Sequence, residues 1–172
     1  MKRTITVLLE NRFGAFNRIS TLFSGKGFNL HSISIGETEV PGVSRMTLVT
    51  TGDDKVMDQI IKQLNRLIDT IKVIDLSKEP TVMRELALIT VHFKKGNRTE
   101  LTSLCSIFEG KVVDITNKSI IVEVTGPPDK IEAAINTFSA YGIKEIARTG
   151  MVALKRSEQV RTIESENLTN HS

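Results

Sequence analysis

The segment that decides the fold is Leu9-Glu10-Asn11-Arg12-Phe13-Gly14-Ala15-Phe16, because it joins an apolar alternating stretch to a helical one. Before it, Ile5, Val7 and Leu9 occupy every second position, which is the spacing of a half-buried strand. After it, apolar residues recur at helical spacing, namely Phe16, Ile19, Leu22 and Phe23. The segment therefore predicts a strand, a tight polar turn and a helix.

The turn has features that suit a small carboxylate. The first turn of a helix leaves backbone N–H groups without partners, and the helix dipole adds partial positive charge there. Because Gly14 has no Cβ, a carboxylate could approach its amide and those of Ala15 and Phe16 closely. Asn11 carries a donor and an acceptor, which suits a ligand with carboxylate and ammonium groups. The alternative, equally open from this segment, is that Asn11 caps the helix and Gly14 permits the turn.

The first half of the chain continues with strand and helix patterns in alternation. Strands are predicted over residues 28–35, 43–50 and 71–76, and the first two should form a hairpin. Asp53 or Asp54 can cap a second helix between the last two strands. Its apolar stripe comprises Val56, Ile60, Ile61, Leu64, Leu67 and Ile68. The order of elements is βαββαβ.

After a polar link over residues 77–81, the same order begins again. Strands are predicted over residues 86–93, 111–115, 119–125 and, as the last one, 143–148. The helices between them present Leu101, Leu104, Cys105 and Phe108, then Ile131, Ala134, Ile135 and Phe138. The fold class is therefore α+β, with two ferredoxin-like βαββαβ units, each a four-stranded antiparallel sheet with both helices on one face.

The domain boundaries follow from these patterns. The first domain should span residues 1–78, the second residues 82–155, and a polar tail residues 156–172. The tail has little apolar periodicity, so we expect it to be solvated and mobile, with a short helix around residues 157–164 as an option.

Composition excludes several classes of protein. The 23 basic and 20 acidic residues are too evenly balanced for a binder of nucleic acid or of membranes. Cys105 is the only cysteine, so no intramolecular disulfide can form. The apolar run near the N-terminus is too short for a signal peptide, and no segment approaches the length that spans a bilayer. We expect a cytoplasmic protein.

The sequence offers no constellation typical of catalysis. His31, His92 and His171 lie on different elements, and their spacing matches no metal site. Cys105 falls on an apolar helix face, which indicates a core residue rather than a nucleophile. Phosphate-loop, nucleophile-elbow and dinucleotide motifs are absent from the sequence. RNA-binding domains of this fold stack bases on aromatic residues of the central strands, which residues 4–9 and 43–50 lack.

An open sheet with this strand order leaves residues 28–35 at its edge. Such an edge favours pairing with a second copy of the chain. That pairing would place Asn29 beside residues 11–15 of the other copy. A site shared between subunits couples ligand binding to quaternary arrangement, which is what regulation requires.

These residues carry a family resemblance. The stretches Val7-Leu8-Leu9-Glu10-Asn11-Arg12-Phe13-Gly14-Ala15, Leu22-Phe23 and Gly27-Phe28-Asn29-Leu30 closely resemble the ACT domain of the small regulatory subunits of acetohydroxyacid (acetolactate) synthase. The similarity continues through Ser44-Arg45-Met46-Thr47 and Gly52-Asp53, and it reaches Glu145-Ile146-Ala147-Arg148-Thr149-Gly150. The glycine turn alone would indicate only some ACT domain, whereas its combination with the C-terminal segment is specific to this family.

The resemblance implies a chain without catalytic activity of its own. It would bind and activate the large catalytic subunit, which decarboxylates pyruvate and condenses it with a second 2-oxoacid. It would also confer feedback inhibition by a branched-chain amino acid, usually valine, and form a homodimer through its ACT domains. Thiamine diphosphate, magnesium and FAD are expected only in the catalytic partner.

The resemblance also places the effector site. By position, the site includes Asn11, Gly14 and Ala15 of the turn, with Asn29 and Leu30 of the following strand. The amides of Gly14 and Ala15 are assigned to the ligand's carboxylate, and Asn29 or Asn11 to its ammonium group. Candidates for the apolar wall are Leu9, Phe16, Leu30 and Ile33, of which Phe16 and Leu30 suit core or dimer packing equally well. One methylene, worth about 1–3 kcal/mol, separates the possible effectors, so the sequence leaves their identity open.

The second unit has no glycine turn like that of the first, because residues 94–98 are longer and basic. We expect it to support the dimer and to contact the catalytic subunit, with Arg148 either in that contact or in a salt bridge. Two other functions are considered. One is a stand-alone amino-acid sensor, for example one acting on a transcription factor. The other is a small hydrolase, for which Arg12 beside Asn11 is the only sign.

Overall fold

The first half of the chain forms a βαββαβ unit, as the alternating patterns predict. The structure is a computed structural model, and it describes residues 1–94 and 96–157. The elements are β1 (Lys2–Glu10), α1 (Ala15–Lys26), β2 (Leu30–Glu37), β3 (Val43–Thr51), α2 (Asp54–Leu64) and β4 (Thr70–Asp75). The antiparallel sheet has the order β2-β3-β1-β4, so the prediction that β2 lies at an edge is confirmed.

One face of this sheet packs against α1 and α2. The side chains of Ile5, Val7 and Leu9 on β1 are buried there, which is the face that their alternation predicts. The Asp53 carboxylate caps α2 by accepting a hydrogen bond of 2.9 Å from the Val56 amide. The predicted apolar stripe of α2 is wrong at its end, because the helix stops at Leu64. Ile68 lies beyond that end and is 82% exposed.

The second half repeats the order and adds a strand. Its elements are β5 (Thr81–His92), α3 (Arg98–Ile107), β6 (Lys111–Ile115), β7 (Ser119–Gly126), α4 (Pro128–Ser139), β8 (Ile143–Arg148) and β9 (Val152–Lys155). The main sheet has the order β6-β7-β5-β8. Cys105 lies on α3 and is buried in the core of this unit, as the apolar helix face predicts.

The predicted strand over residues 143–148 is confirmed as β8, but the prediction that it is the last strand is wrong. The additional strand β9 pairs with the first four residues of β5, from Thr81↔Lys155 to Arg84↔Val152. The predicted polar link over residues 77–81 is correspondingly shorter, since Leu76–Lys78 forms a turn of 3-10 helix and β5 begins at Thr81. The two paired segments lie at opposite ends of the second unit's sequence, so a pattern within either segment could not reveal their pairing.

We call β9 and residues 81–84 of β5 the ribbon. The ribbon lies on the face of the first sheet that the helices leave open. The Thr4 hydroxyl of β1 contacts the Met83 sulfur at 3.7 Å, and the Met151 amide donates to the Ser32 hydroxyl of β2 at 3.0 Å. Thr6 and Thr47, which share this face, are consequently buried. The ribbon therefore ties the second unit to the first sheet.

The tail predicted over residues 156–172 is described only as far as Ser157, so the predicted mobility and the optional helix lie outside the described residues. No helix within the described ranges has the length and apolar character needed to cross a membrane. The described part of the chain thus consists of the two sheets, their helices and connections, and the ribbon.

Candidate effector site

The turn between β1 and α1 has the backbone geometry that its glycine permits. Gly14 precedes the helix with φ 84° and ψ −5°, a left-handed conformation. The first helical hydrogen bond runs from the Arg18 amide to the Gly14 carbonyl at 3.0 Å. The amides of Phe16 and Asn17 precede that bond, so the helix offers them no acceptor. These groups give the turn a positive end on which an anion can bind.

Two details of the turn differ from the expectations. The Ala15 amide donates to the Arg12 carbonyl at 3.2 Å, so this assigned carboxylate donor is engaged within the turn. Asn11 does not cap α1, and no side chain of the described residues does so. The Asn11 amide group instead donates to the Glu37 carboxylate at 3.4 Å, at the end of β2. Asn11 therefore faces the sheet edge and remains exposed.

An ion pair between the exposed Arg18 and the buried Asp69 supports the turn, and sequence reasoning missed it. The Arg18 guanidinium donates from Nε to Asp69 Oδ2 at 2.6 Å and from Nη2 to Oδ1 at 3.2 Å. The Asp69 side chain is 6% exposed, and its hydrogen bonds from Arg18 lower the pKa of its carboxyl group. A Cβ added to Gly14 would lie 3.7 Å from Arg18 Nη1. A fixed positive charge is therefore held directly beside the turn.

The candidates on β2 lie far from the turn within one chain. Asn29 sits at the start of β2, where its carbonyl accepts a hydrogen bond from the Thr50 hydroxyl and Leu30 pairs with Thr50. Glu37, beside Asn11, ends the same strand. At about 3.3 Å per residue, the two ends are roughly 23 Å apart. The two parts of the predicted site, which we call its half-sites, are thus separated within one chain, whereas an antiparallel β2–β2 pair would bring the opposite ends of the strand together.

The apolar candidates divide into core and surface residues. Leu9 is buried in the first core, so it cannot line an open site. Leu30 and Ile33 are half-buried against that core, while Phe16 is exposed. Sequence reasoning missed two further exposed apolar residues, Phe13 in the turn and Ile35 on the edge of β2. Exposed apolar residues gathered at one edge are typical of an interaction surface.

The remaining candidates for chemistry have structural roles. Burial raises the pKa of the Cys105 thiol, which keeps it protonated and unreactive. Arg148 forms salt bridges with Glu85 and Glu132, which answers the question that the sequence left open about its role within this chain. Among residues 1–94 and 96–157, no three His, Cys, Asp or Glu side chains are grouped to hold a metal ion.

Two family models of known proteins match successive parts of the chain. A family model described as the AHAS small subunit-like ACT domain matches residues 5–72. A second model, described as the small subunit of acetolactate synthase, matches residues 84–157.

Relatives match over nearly the whole chain. A probable acetolactate synthase small subunit from Archaeoglobus fulgidus is 50% identical over 92% of this chain and 99% of its own length. The acetolactate synthase small subunit from Bacillus subtilis is 44% identical over 98% of this chain and 99% of its own length. The crystal structure of an acetolactate synthase small subunit from Thermotoga maritima matches with a TM-score of 0.83 and 40% identity. That match covers 91% of this chain and 98% of the solved one.

Proposed function

The chain belongs to the family of acetolactate synthase small subunits, and from this premise we propose that it activates the catalytic subunit and confers inhibition by a branched-chain amino acid, with valine as the first candidate. Pyruvate decarboxylation and the condensation that follows belong to the large subunit. That subunit also carries thiamine diphosphate, magnesium and FAD. The role of this chain is to bind the effector and to pass its presence to the partner.

The observation that carries the proposal is the position of the two half-sites at opposite ends of β2. A two-fold pair of chains that joins β2 to β2 in antiparallel fashion unites the turn of one copy with Asn29 of the other. β2 has only β3 as a hydrogen-bonded neighbour among the described residues, so its other edge can accept a strand. Effector binding is then possible only in the dimer, and each event stabilises the other.

The chemistry of the united site fits an amino acid. The free amides of the first turn and the nearby Arg18 cation attract the carboxylate. The carboxylate of Glu37 and the side-chain carbonyl of Asn11 or Asn29 accept hydrogen bonds from the ammonium group. Apolar surface for a branched side chain comes from Leu30, Ile33 and Phe16. Since the Ala15 amide is engaged with Arg12, we assign the carboxylate to the amides of Gly14 and Phe16 first.

The second unit is the proposed site of contact with the catalytic subunit. The sheet face opposite its helices carries the exposed Leu88 and, paired with it, the charged Glu123. A regulatory subunit needs one surface for the effector and another for the enzyme. The ribbon joins the two surfaces within one chain.

The experiment that tests the function is calorimetric titration of the purified chain with valine, leucine and isoleucine, with glutamate as an acidic control. We expect saturable binding of one branched-chain ligand, accompanied by a shift toward dimer in sedimentation. The same ligand should inhibit the reconstituted complex with the catalytic subunit. Absence of binding both in the isolated chain and in the complex would reject the effector role. Failure of the chain to bind the catalytic subunit would instead favour a stand-alone sensor.

A further inference from the structure

One strand, β5, belongs both to the ribbon and to the main sheet of the second unit. The first part of β5 pairs with β9 in the ribbon, and its second part pairs with β8 in the main sheet of the second unit. The change of partner occurs at Glu85 and Leu86, opposite residues 149–151, which connect β8 to β9 and which we call the bend. We therefore expect a displacement of this bend to move β5, which is an inner strand of the second sheet.

Side chains hold the bend firmly on β5. The Glu85 carboxylate is 4% exposed and accepts two hydrogen bonds of 2.8 Å from the Arg148 guanidinium. Leu86 and Thr149 exchange a second pair, in which the Leu86 amide donates to the Thr149 hydroxyl and the Thr149 amide to the Leu86 carbonyl, each at 3.1 Å. The bidentate ion pair on buried Glu85 and the reciprocal pair of hydrogen bonds both resist opening of the bend. The bend and β5 should move as one body.

The other side of the bend touches β2. The Met151 amide donates to the Ser32 hydroxyl at 3.0 Å. Gly150 has φ 79°, and a Cβ added there would lie 2.8 Å from the Ile33 carbonyl oxygen and 2.9 Å from Ser32 Oγ. The two backbones are therefore so close that no side chain fits between them. The contact falls beside the irregularity of β2 between Leu30 and Ser32, where the strand is least constrained by β3.

We propose that Gly150 and Met151 are positioning residues that couple the β2 edge to the second unit. A ligand or a second strand that fixes β2 also fixes the position of the Ile33 carbonyl. The bend must then adjust its own position, because its backbone at Gly150 is in close contact with that carbonyl. The proposal rests on the proposed function for the identity of what binds at β2. The mechanical link depends only on contacts within one chain.

The link can be tested without any ligand, by hydrogen exchange of the full chain carrying Ser32→Ala. Removing the acceptor of the Met151 amide should speed exchange across residues 143–155 about fivefold to tenfold, because local opening becomes easier. Ser34→Ala is the matched control, since Ser34 shares that face of β2 and makes no side-chain hydrogen bond within the described residues. Unchanged exchange in Ser32→Ala, or an equal change in both variants, would overturn the link.

A second test uses valine and two glycine variants. Gly150→Ala forces the bend away from β2, whereas Gly142→Ala introduces similar backbone strain at φ 93° with no atom of the described residues within 4 Å of its Cβ. Both variants should bind valine within about twofold of the unchanged chain, as measured by calorimetry. Only Gly150→Ala should lose the valine-induced protection of residues 143–155.

The outcomes separate the two proposals. Protection of β2 by valine without protection of residues 143–155 in the unchanged chain would overturn the link and leave the effector role intact. Absence of valine binding would count against the proposed function, and the exchange of Ser32→Ala would then still decide the link. If Gly150→Ala does not fold, as judged by circular dichroism, the comparison of Ser32→Ala with Ser34→Ala decides it alone.

Discussion

The two βαββαβ units share one strand order and one placement of helices, yet they differ where a ligand would bind. In the first, Gly14 immediately precedes α1 with φ 84°, and Arg18 lies beside it. In the second, Gly96 has φ 112°, but Asn97 separates it from α3. Neither helix has a side-chain cap in the part of the chain that the structure describes. The fold sets the place of the turn, and the local residues decide whether it can hold an anion.

The edge strands of the two units, β2 and β6, also differ. β2 contributes half-buried Leu30 and Ile33 to the first core, and its edge leaves Ile35 48% exposed. All five residues of β6 are exposed, and Val112, at 37%, holds the position equivalent to Ile35. Ile35 pairs with buried Met46, and Val112 with buried Val122. The units thus supply matched pairs of residues whose substitution tests whether the difference matters.

The largest expected effect is that of Gly14→Asp. Its carboxylate would occupy the anion position and compete with the ligand for the first-turn amides and for Arg18, so valine binding should fall by at least about a hundredfold. Aspartate is among the residues that tolerate a left-handed backbone, so the chain should still fold. Gly96→Asp makes the equivalent change in the second unit and should bind valine normally. Calorimetry compares the two, and unimpaired binding by Gly14→Asp would remove the turn from the site.

The next effect concerns the dimer. Ile35→Lys removes an apolar contact from each copy at a two-fold edge and adds like charges, so the dimer dissociation constant should rise by roughly thirtyfold or more. Val112→Lys, at the matched position of β6, should leave the constant unchanged. Sedimentation equilibrium measures both. A dimer weakened by Val112→Lys rather than by Ile35→Lys would move the interface to the second unit.

A smaller effect is expected for Asn29→Ala. Loss of one polar group that contacts the ligand from the second copy should weaken valine binding about tenfold, in line with a hydrogen bond to a charged group. Asn117→Ala, in the turn between β6 and β7, is the control with the same chemical change. An unchanged affinity for Asn29→Ala would place the second half-site elsewhere on β2.

The smallest effect is a pH dependence of stability. Arg18 lowers the pKa of Asp69 below its usual 3.8, so the pair stabilises the fold above that pH, and the stabilisation is lost as pH falls through the lowered value. Asp69→Asn should therefore lower the thermal midpoint at neutral pH and converge with the unchanged chain in acid. Glu109→Gln breaks the exposed pair with Lys130 and should shift the midpoint little at any pH. Equal shifts for the two variants would contradict a supporting role for Asp69.

The sequence predicted the parts of the fold that local periodicity determines. The order of the elements, the edge position of β2 and the burial of Cys105 all follow from spacing along one element. It did not predict β9, because its partner Thr81–Arg84 begins at the end of the predicted polar link over residues 77–81 and lies before the predicted strand over residues 86–93. Patterns of period two do not identify the strand with which a segment pairs.

The same limit applies to the site. The Gly14 turn was predictable because its chemistry lies within consecutive residues. The Arg18–Asp69 pair was not, since a single aspartate between Ile68 and Thr70 carries no periodic signal and its partner lies on another element. Likewise, the engagement of the Ala15 amide with Arg12 depends on the turn's backbone conformation, which residue types alone do not specify.

The ribbon has a practical consequence for protein engineering. A cut at the short connection after Lys78 would separate the β5–β9 pair from the sheet that it covers, exposing buried positions such as Thr6 and Thr47. An isolated first unit would then present a large uncovered sheet face and tend to aggregate. Chimeras between relatives should therefore take the ribbon and the sheet beneath it from the same parent, with the crossover placed beyond Leu86 on one side and before Arg148 on the other.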